Sequence, residues 1–116
     1  MYKDYILLTV IFPKKKNTII NQLETCLLSI LRFSQNFKFF IATNNKIKIS
    51  KTIKKFKFEE ENFIIVDIYK SKKNYLSNHK LDDFKFAFGK IQCLKIFLEK
   101  KINFKSIIIS DIDVIF

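Results

Sequence analysis

A chain of 116 residues makes one small domain or part of a larger one, and 48% hydrophobic residues supply a core. No apolar run reaches the ~18 residues of a membrane-spanning helix, and the opening MYKDYILLTV turns charged and extended, unlike a secretory leader. The formal charge of +11 points toward anionic partners, yet Arg32 is the only arginine among 22 basic residues, so a solvated lysine surface is expected rather than a specific nucleic-acid face. A phosphate-bearing small ligand is compatible with that surface.

DYILLTVIF, residues 4–12, is an unbroken apolar run closed by Pro13, which predicts a strand buried on both faces. NTIINQLETCLLSILRF predicts a helix capped by Asn17 or Thr18, with Ile20, Leu23, Leu27, Ile30 and Leu31 on one stripe. Thr18, Asn21, Thr25, Ser29 and Arg32 form the opposite stripe. FKFFIAT, residues 37–43, predicts a second strand that ends at Asn44-Asn45, and KISKTIKKFKF reads as a short basic helix or loop. NFIIVDIY, residues 62–69, predicts a third strand.

The polar stretch KSKKNYLSNHKLDD exceeds an ordinary connection, so it is expected to be functional or mobile. A long helix is predicted from Asp83 to Lys101, with Phe84, Ala87, Phe88, Ile91, Leu94 and Leu98 as its core stripe. Asp82 or Asp83 suits the positive end of its dipole. FKSIIIS, residues 104–110, predicts a fourth strand. The order β-α-β-α-β-α-β predicts an α/β, Rossmann-like fold with a mostly parallel sheet of about four strands and flanking helices. Cys26 and Cys93 fall in apolar helical patterns and read as small buried hydrophobes. Neither pairs with His79 at zinc-site spacing.

Two aspartates interrupt the closing run SIIISDIDVIF. Side chains alternate along a strand, so Asp111 and Asp113 are expected on one side, about 6.5–7 Å apart at the backbone, with Ile112 on the other. Two ionised carboxylates that close repel unless a cation intervenes. A divalent ion resolves this, and Mg²⁺ or Mn²⁺ takes oxygen ligands while keeping positions for substrate phosphates. In open α/β sheets, ligands bind beyond the carboxyl ends of the strands, where these residues fall. The alternative is a solvated turn containing two common turn residues.

FKSIIISDIDVIF, preceded by an amphipathic helix ending in LEKK, resembles the Asp-x-Asp region of GT-A glycosyltransferases. A first strand, the helix LETCLLSIL, a second strand and the long helix precede it in that family's order. The resemblance implies transfer of a sugar from a nucleotide-diphosphate sugar, most readily a UDP-sugar, to a saccharide, lipid or protein acceptor. It implies Mn²⁺ or Mg²⁺ on Asp111 and Asp113, with the ion bridging the nucleotide diphosphate. Residues 1–116 then correspond to the N-terminal, nucleotide-sugar-binding part of a GT-A domain, with the acceptor half missing and no catalytic group assigned. A cytoplasmic location is expected, with the basic surface suited to peripheral membrane association.

The same resemblance suggests nucleotide-sugar contacts for Thr9, Asn44, Lys90 and Asp111. Lys90 interrupts the apolar line Phe86–Cys93–Phe97, and basic residues on the equivalent helix of the family reach the diphosphate. Its other reading is a stem packed on apolar surface with its head in water. Gly89 beside it weakens a helix by ~1 kcal/mol relative to Ala, so it marks either a close approach or a later helix start. Asn44 has the donor–acceptor edge that matches uracil, and also suits a turn. Asp67 and Lys14, Lys15 and Lys16 are weaker candidates. Two other readings remain open from the residues. One is a haloacid-dehalogenase-like phosphatase fragment, in which Asp111 is a nucleophile and Asp113 a general acid/base. The other is a basic, non-enzymatic nucleic-acid or interaction module.

Overall fold

The computed structural model describes residues 2–12, 18–33, 36–68 and 87–112. Strand β1 spans Lys3–Val10, helix α1 Thr18–Phe33, β2 Phe37–Thr43, α2 Lys46–Lys55, β3 Phe63–Asp67, α3 Ala87–Glu99 and β4 Phe104–Ser110. A 3₁₀ turn, Glu60–Asn62, leads into β3. The strands form one sheet in the order β3-β2-β1-β4, and every neighbouring pair is parallel. The fold is therefore α/β and Rossmann-like, as the alternation of elements predicts.

Strand periodicity divides the interior into two cores. In β1 and the residues just after it, Tyr5, Leu7 and Ile11 point to one face and Ile6, Leu8, Val10 and Phe12 to the other. The first face is covered by α3 through Cys93, Ile96 and Phe97. The second is covered by α1 through Leu23, Cys26, Leu27 and Ile30, and by α2 through Ile49 and Ile53. Both faces of β1 and β2 are dry, which is why their sequences read as continuous apolar runs rather than as alternation. β4 is an edge strand of the described sheet and is less covered, with Ile108 37% and Ile109 42% exposed.

The basic stretch after Asn44-Asn45 is a helix. The Asn45 side chain accepts a hydrogen bond from the Lys48 backbone N–H at 3.2 Å and caps α2. The expected cap Asn17 of α1 lies outside the described residues. Ser29, placed on the polar stripe of α1, is in fact buried. Its hydroxyl donates to the Cys26 carbonyl at 2.8 Å, which satisfies it without leaving the helix.

The core stripe expected for α3 needs correction. Leu94 packs against the core as expected, but Ile91 is 51% and Leu98 52% exposed, and the buried line is Gly89, Cys93, Ile96 and Phe97; the side chains of Phe84, Ala87 and Phe88 lie outside those described. This helix is apolar nearly all round, so periodicity alone does not select a face. Gly89 decides it, because the missing Cβ lets that side of the helix lie against β1. Among the described residues, no helix is long and apolar enough to cross a membrane.

Candidate functional site

Chain order steps outward from β1 to β2 to β3, then returns across β1 to place β4 on its other side. The order reverses between β1 and β4. At such a point the connections diverge, and a crevice opens at the carboxyl ends of the strands. Ser110, the last residue of β4, pairs in register with Leu8 of β1. Asp111 is the next residue, so it lies at the mouth of that crevice.

β4 ends before Asp111. β4 stops at Ser110 and Ile112 is in a turn, so Asp111 lies just past the end of the strand. Ile112 is partly buried against the α1 core. Asp113 lies outside the described residues. The Asp111 backbone is held in place: its carbonyl accepts from Ser110 Oγ at 3.0 Å and faces Cys26 Sγ of α1 at 4.0 Å.

The Asp111 side chain points the other way, toward α3. Lys90 Nζ lies 2.9 Å from Oδ1 and 3.0 Å from Oδ2, so the ammonium sits on both oxygens. The two side chains keep 36% and 47% of their surface exposed, respectively. Two sequence candidates 21 positions apart thus meet in one contact.

Helix α3 runs antiparallel to the strands, and its amino end reaches the same crevice. Thr9 Oγ1 donates to the Gly89 carbonyl at 3.1 Å, which docks that end on β1. Lys90 follows directly, so Thr9 acts on the site through the seating of its helix. One turn further, Cys93 Sγ donates to the Leu8 carbonyl at 3.6 Å. Burial pushes the Cys93 thiol from 9.0 up to about 12, against smaller opposing effects of hydrogen bonds from Thr9 and the Ala42 backbone. Cys26 belongs to the core on the opposite sheet face, and both thiols are buried and in no disulfide among the described residues.

The raised thiol has a measurable consequence. Between pH 9 and about 12 the unfolded chain releases a proton that the native chain retains. Stability from this group is present below pH 9 and is lost as pH rises through that window, at up to ~1.4 kcal/mol per pH unit. Urea melts across the window should fall more steeply for the wild type than for Cys93→Ala. Parallel slopes would show that the thiol does not titrate in this way.

Asn44 makes a two-point clamp. Its Oδ1 accepts from the Phe12 N–H at 2.9 Å and its Nδ2 donates to the Phe12 carbonyl at 3.0 Å. The donor–acceptor edge suited to a base is matched here to a peptide unit of the chain. Asn44 therefore ties the segment leaving β1 to the segment leaving β2, both at the crevice end of the sheet. Lys48, in the first turn of α2, places Nζ 5.1 Å from the centroid of the Phe12 ring. Lys46 and Lys48 stand where a helix dipole disfavours cations, a sequence signal for local positive potential that the reading of motifs passed over.

Gln92 was also missed. It is 4% exposed, and its Oε1 has no hydrogen-bond partner among the described residues. Its position three residues after Gly89 is the signal that marks it as part of the buried stripe. Asp67 closes β3 at the opposite edge of the sheet from β4, so it is not brought to Asp111. Lys14, Lys15, Lys16 and His79 lie outside the described residues. A cavity of about 270 Å³ between α2 and β3, lined in part by Lys54, Glu60 and Phe63, involves the start of β3, away from the carboxyl ends.

Asp111 fits one mode of metal binding. No group of three or more His, Cys, Asp or Glu able to hold an ion occurs among the described residues, so no closed protein cage is present there. The Asp111 carboxylate is half exposed and already attracts a cation to both oxygens. That suits the mode in which one or two carboxylates hold Mg²⁺ or Mn²⁺ and substrate phosphates complete the shell. Comparison with known proteins finds no match to the chain among family models, curated proteins or solved structures.

Proposed function

We propose that the chain binds the diphosphate of a nucleotide sugar, most readily a UDP-sugar, and serves sugar transfer of the GT-A glycosyltransferase type. One observation carries the reading: the Asp111 carboxylate stands at the reversal of strand order, beyond β4, with a cation on both oxygens. Asp111 is the metal-side carboxylate, with Asp113 as its expected companion. Bound Mn²⁺ or Mg²⁺ supplies neutralisation of the charge that develops on a departing nucleoside diphosphate.

The chain's own residues divide the remaining work. Lys90 provides a mobile ammonium for phosphate oxygens. Thr9 and Gly89 seat the helix that carries it. Asn44 fixes the β1 exit through Phe12 and so shapes the crevice rim. Lys48 adds positive potential beside Phe12. The acceptor, whether saccharide, lipid or protein, and the catalytic group are not assigned to residues of this chain.

Calorimetric titration with UDP in the presence of Mn²⁺ tests the reading. Asp111→Asn keeps the size and the backbone contacts but removes the charge. The expected result is a loss of about tenfold or more in UDP affinity, the scale of a lost charge-assisted interaction. Equal affinity for wild type and variant would remove Asp111 from the site and with it the support for this function.

A further inference from the structure

We propose that Lys90 is a built-in counter-cation that guards Asp111, giving up the carboxylate only when a divalent ion arrives together with a diphosphate. This rests on the reading of Asp111 as a metal ligand. Its consequence is thermodynamic: free metal binds weakly, and metal and nucleotide strengthen each other's binding.

The geometry of the pair carries the argument. The ammonium lies within 3.0 Å of both carboxylate oxygens, so it competes with an incoming ion for the carboxylate charge. A divalent ion bonds oxygen at about 2.0–2.1 Å. An ion at that distance and the Lys90 ammonium on the same carboxylate repel each other, so each weakens the other's hold. Metal alone therefore has to displace an ammonium that then has no anion. A diphosphate supplies that anion, and the released Lys90 regains a charge-assisted contact. By linkage, what favours the metal when the diphosphate is bound favours the diphosphate equally when the metal is bound.

The surroundings suit an exchange of partners. Both backbones are anchored: Gly89 by Thr9, and Asp111 by Ser110 and by Cys26. Only the long lysine side chain has to swing. The pair is also not a stabilising device, since exposed ion pairs of this kind add little to folding. The Lys90 side chain is only 36% exposed, and Lys90→Met keeps most of its packed aliphatic stem while removing the charge.

Lys90→Met, Lys90→Arg and Asp111→Asn test the proposal on the whole chain. Free MnCl₂ is titrated first, read by loss of the free-ion spin-resonance signal. UDP is then titrated calorimetrically with no metal and with saturating Mn²⁺. Lys90→Met should bind Mn²⁺ alone more tightly, by about tenfold, while Lys90→Arg stays near wild type. In Lys90→Met the gain in UDP affinity on adding Mn²⁺ should shrink toward none. Mn²⁺ affinity equal to or weaker than wild type in Lys90→Met overturns the guarding role, even where Asp111→Asn shows that the metal site is real. Unchanged Mn²⁺ binding in Asp111→Asn overturns the metal-ligand reading, and this inference falls with it.

Discussion

Replacing Phe97 by Ala is expected to cost about 3–5 kcal/mol, the range for a large aromatic side chain removed from a packed core. Phe97 is fully buried on α3. Its ring meets Tyr5 of β1 at 5.2 Å and Phe40 of β2 at 5.1 Å, both edge-on, and Phe104 of β4 at 5.6 Å. One side chain thus joins the helix to three adjacent strands. Edge-to-face aromatic pairs add about 0.5–1.5 kcal/mol beyond area burial, and this ring makes two. Domains are stable by only about 5–15 kcal/mol, so the loss leaves a marginal chain at best. Urea unfolding should show a lower midpoint at unchanged slope. Phe97→Leu, which leaves a smaller cavity, should lose clearly less. A loss below ~1 kcal/mol in the Ala variant would mean that α3 is not seated as described.

That ring also shows what could be read from the sequence. FKFFIAT and FKSIIIS mark β2 and β4 at their observed bounds, because a short apolar run flanked by polar residues has few other uses. The face of α3 was hidden. Phe88, Ile91, Leu94 and Leu98 make as good an apolar line as Cys93, Ile96 and Phe97 on composition alone. The difference lies at Gly89, whose missing side chain matters only once β1 is beside it. A residue's lack of a Cβ is visible in a sequence, but the neighbour that requires it is not.

The site follows the same division. Asp111 was conspicuous because a carboxylate closing an apolar strand is costly without a partner. Lys90 was conspicuous because it breaks an apolar helical line. That each is the other's partner depends on α3 lying antiparallel to the sheet and β4 returning beside β1, and chain order alone does not fix which edge a later strand joins. The strand expected to run on through Asp111 ends at Ser110, and Ile112, in a turn, packs against the core under α1.

Asn44→Ala should destabilise the chain by about 2–4 kcal/mol, well above the cost of an ordinary turn residue. The size follows from the two hydrogen bonds to Phe12. Each is worth about 0.5–1.5 kcal/mol net, and leaving its partner unsatisfied adds about 1–3 kcal/mol where water cannot reach. The Phe12 side chain is buried, so its peptide N–H and carbonyl are only partly open to solvent. Asn44→Asp separates the two bonds. The carboxylate still accepts from the Phe12 N–H but sets a negative oxygen against the Phe12 carbonyl, so it should recover little of the loss and less as pH rises above the carboxyl range. Titration with UDP and with ADP distinguishes the clamp from direct base recognition. A clamp that shapes the rim lowers affinity for both nucleotides together, whereas a base contact changes their ratio. Unaltered stability with an altered ratio would assign the Asn44 amide to the nucleotide rather than to Phe12.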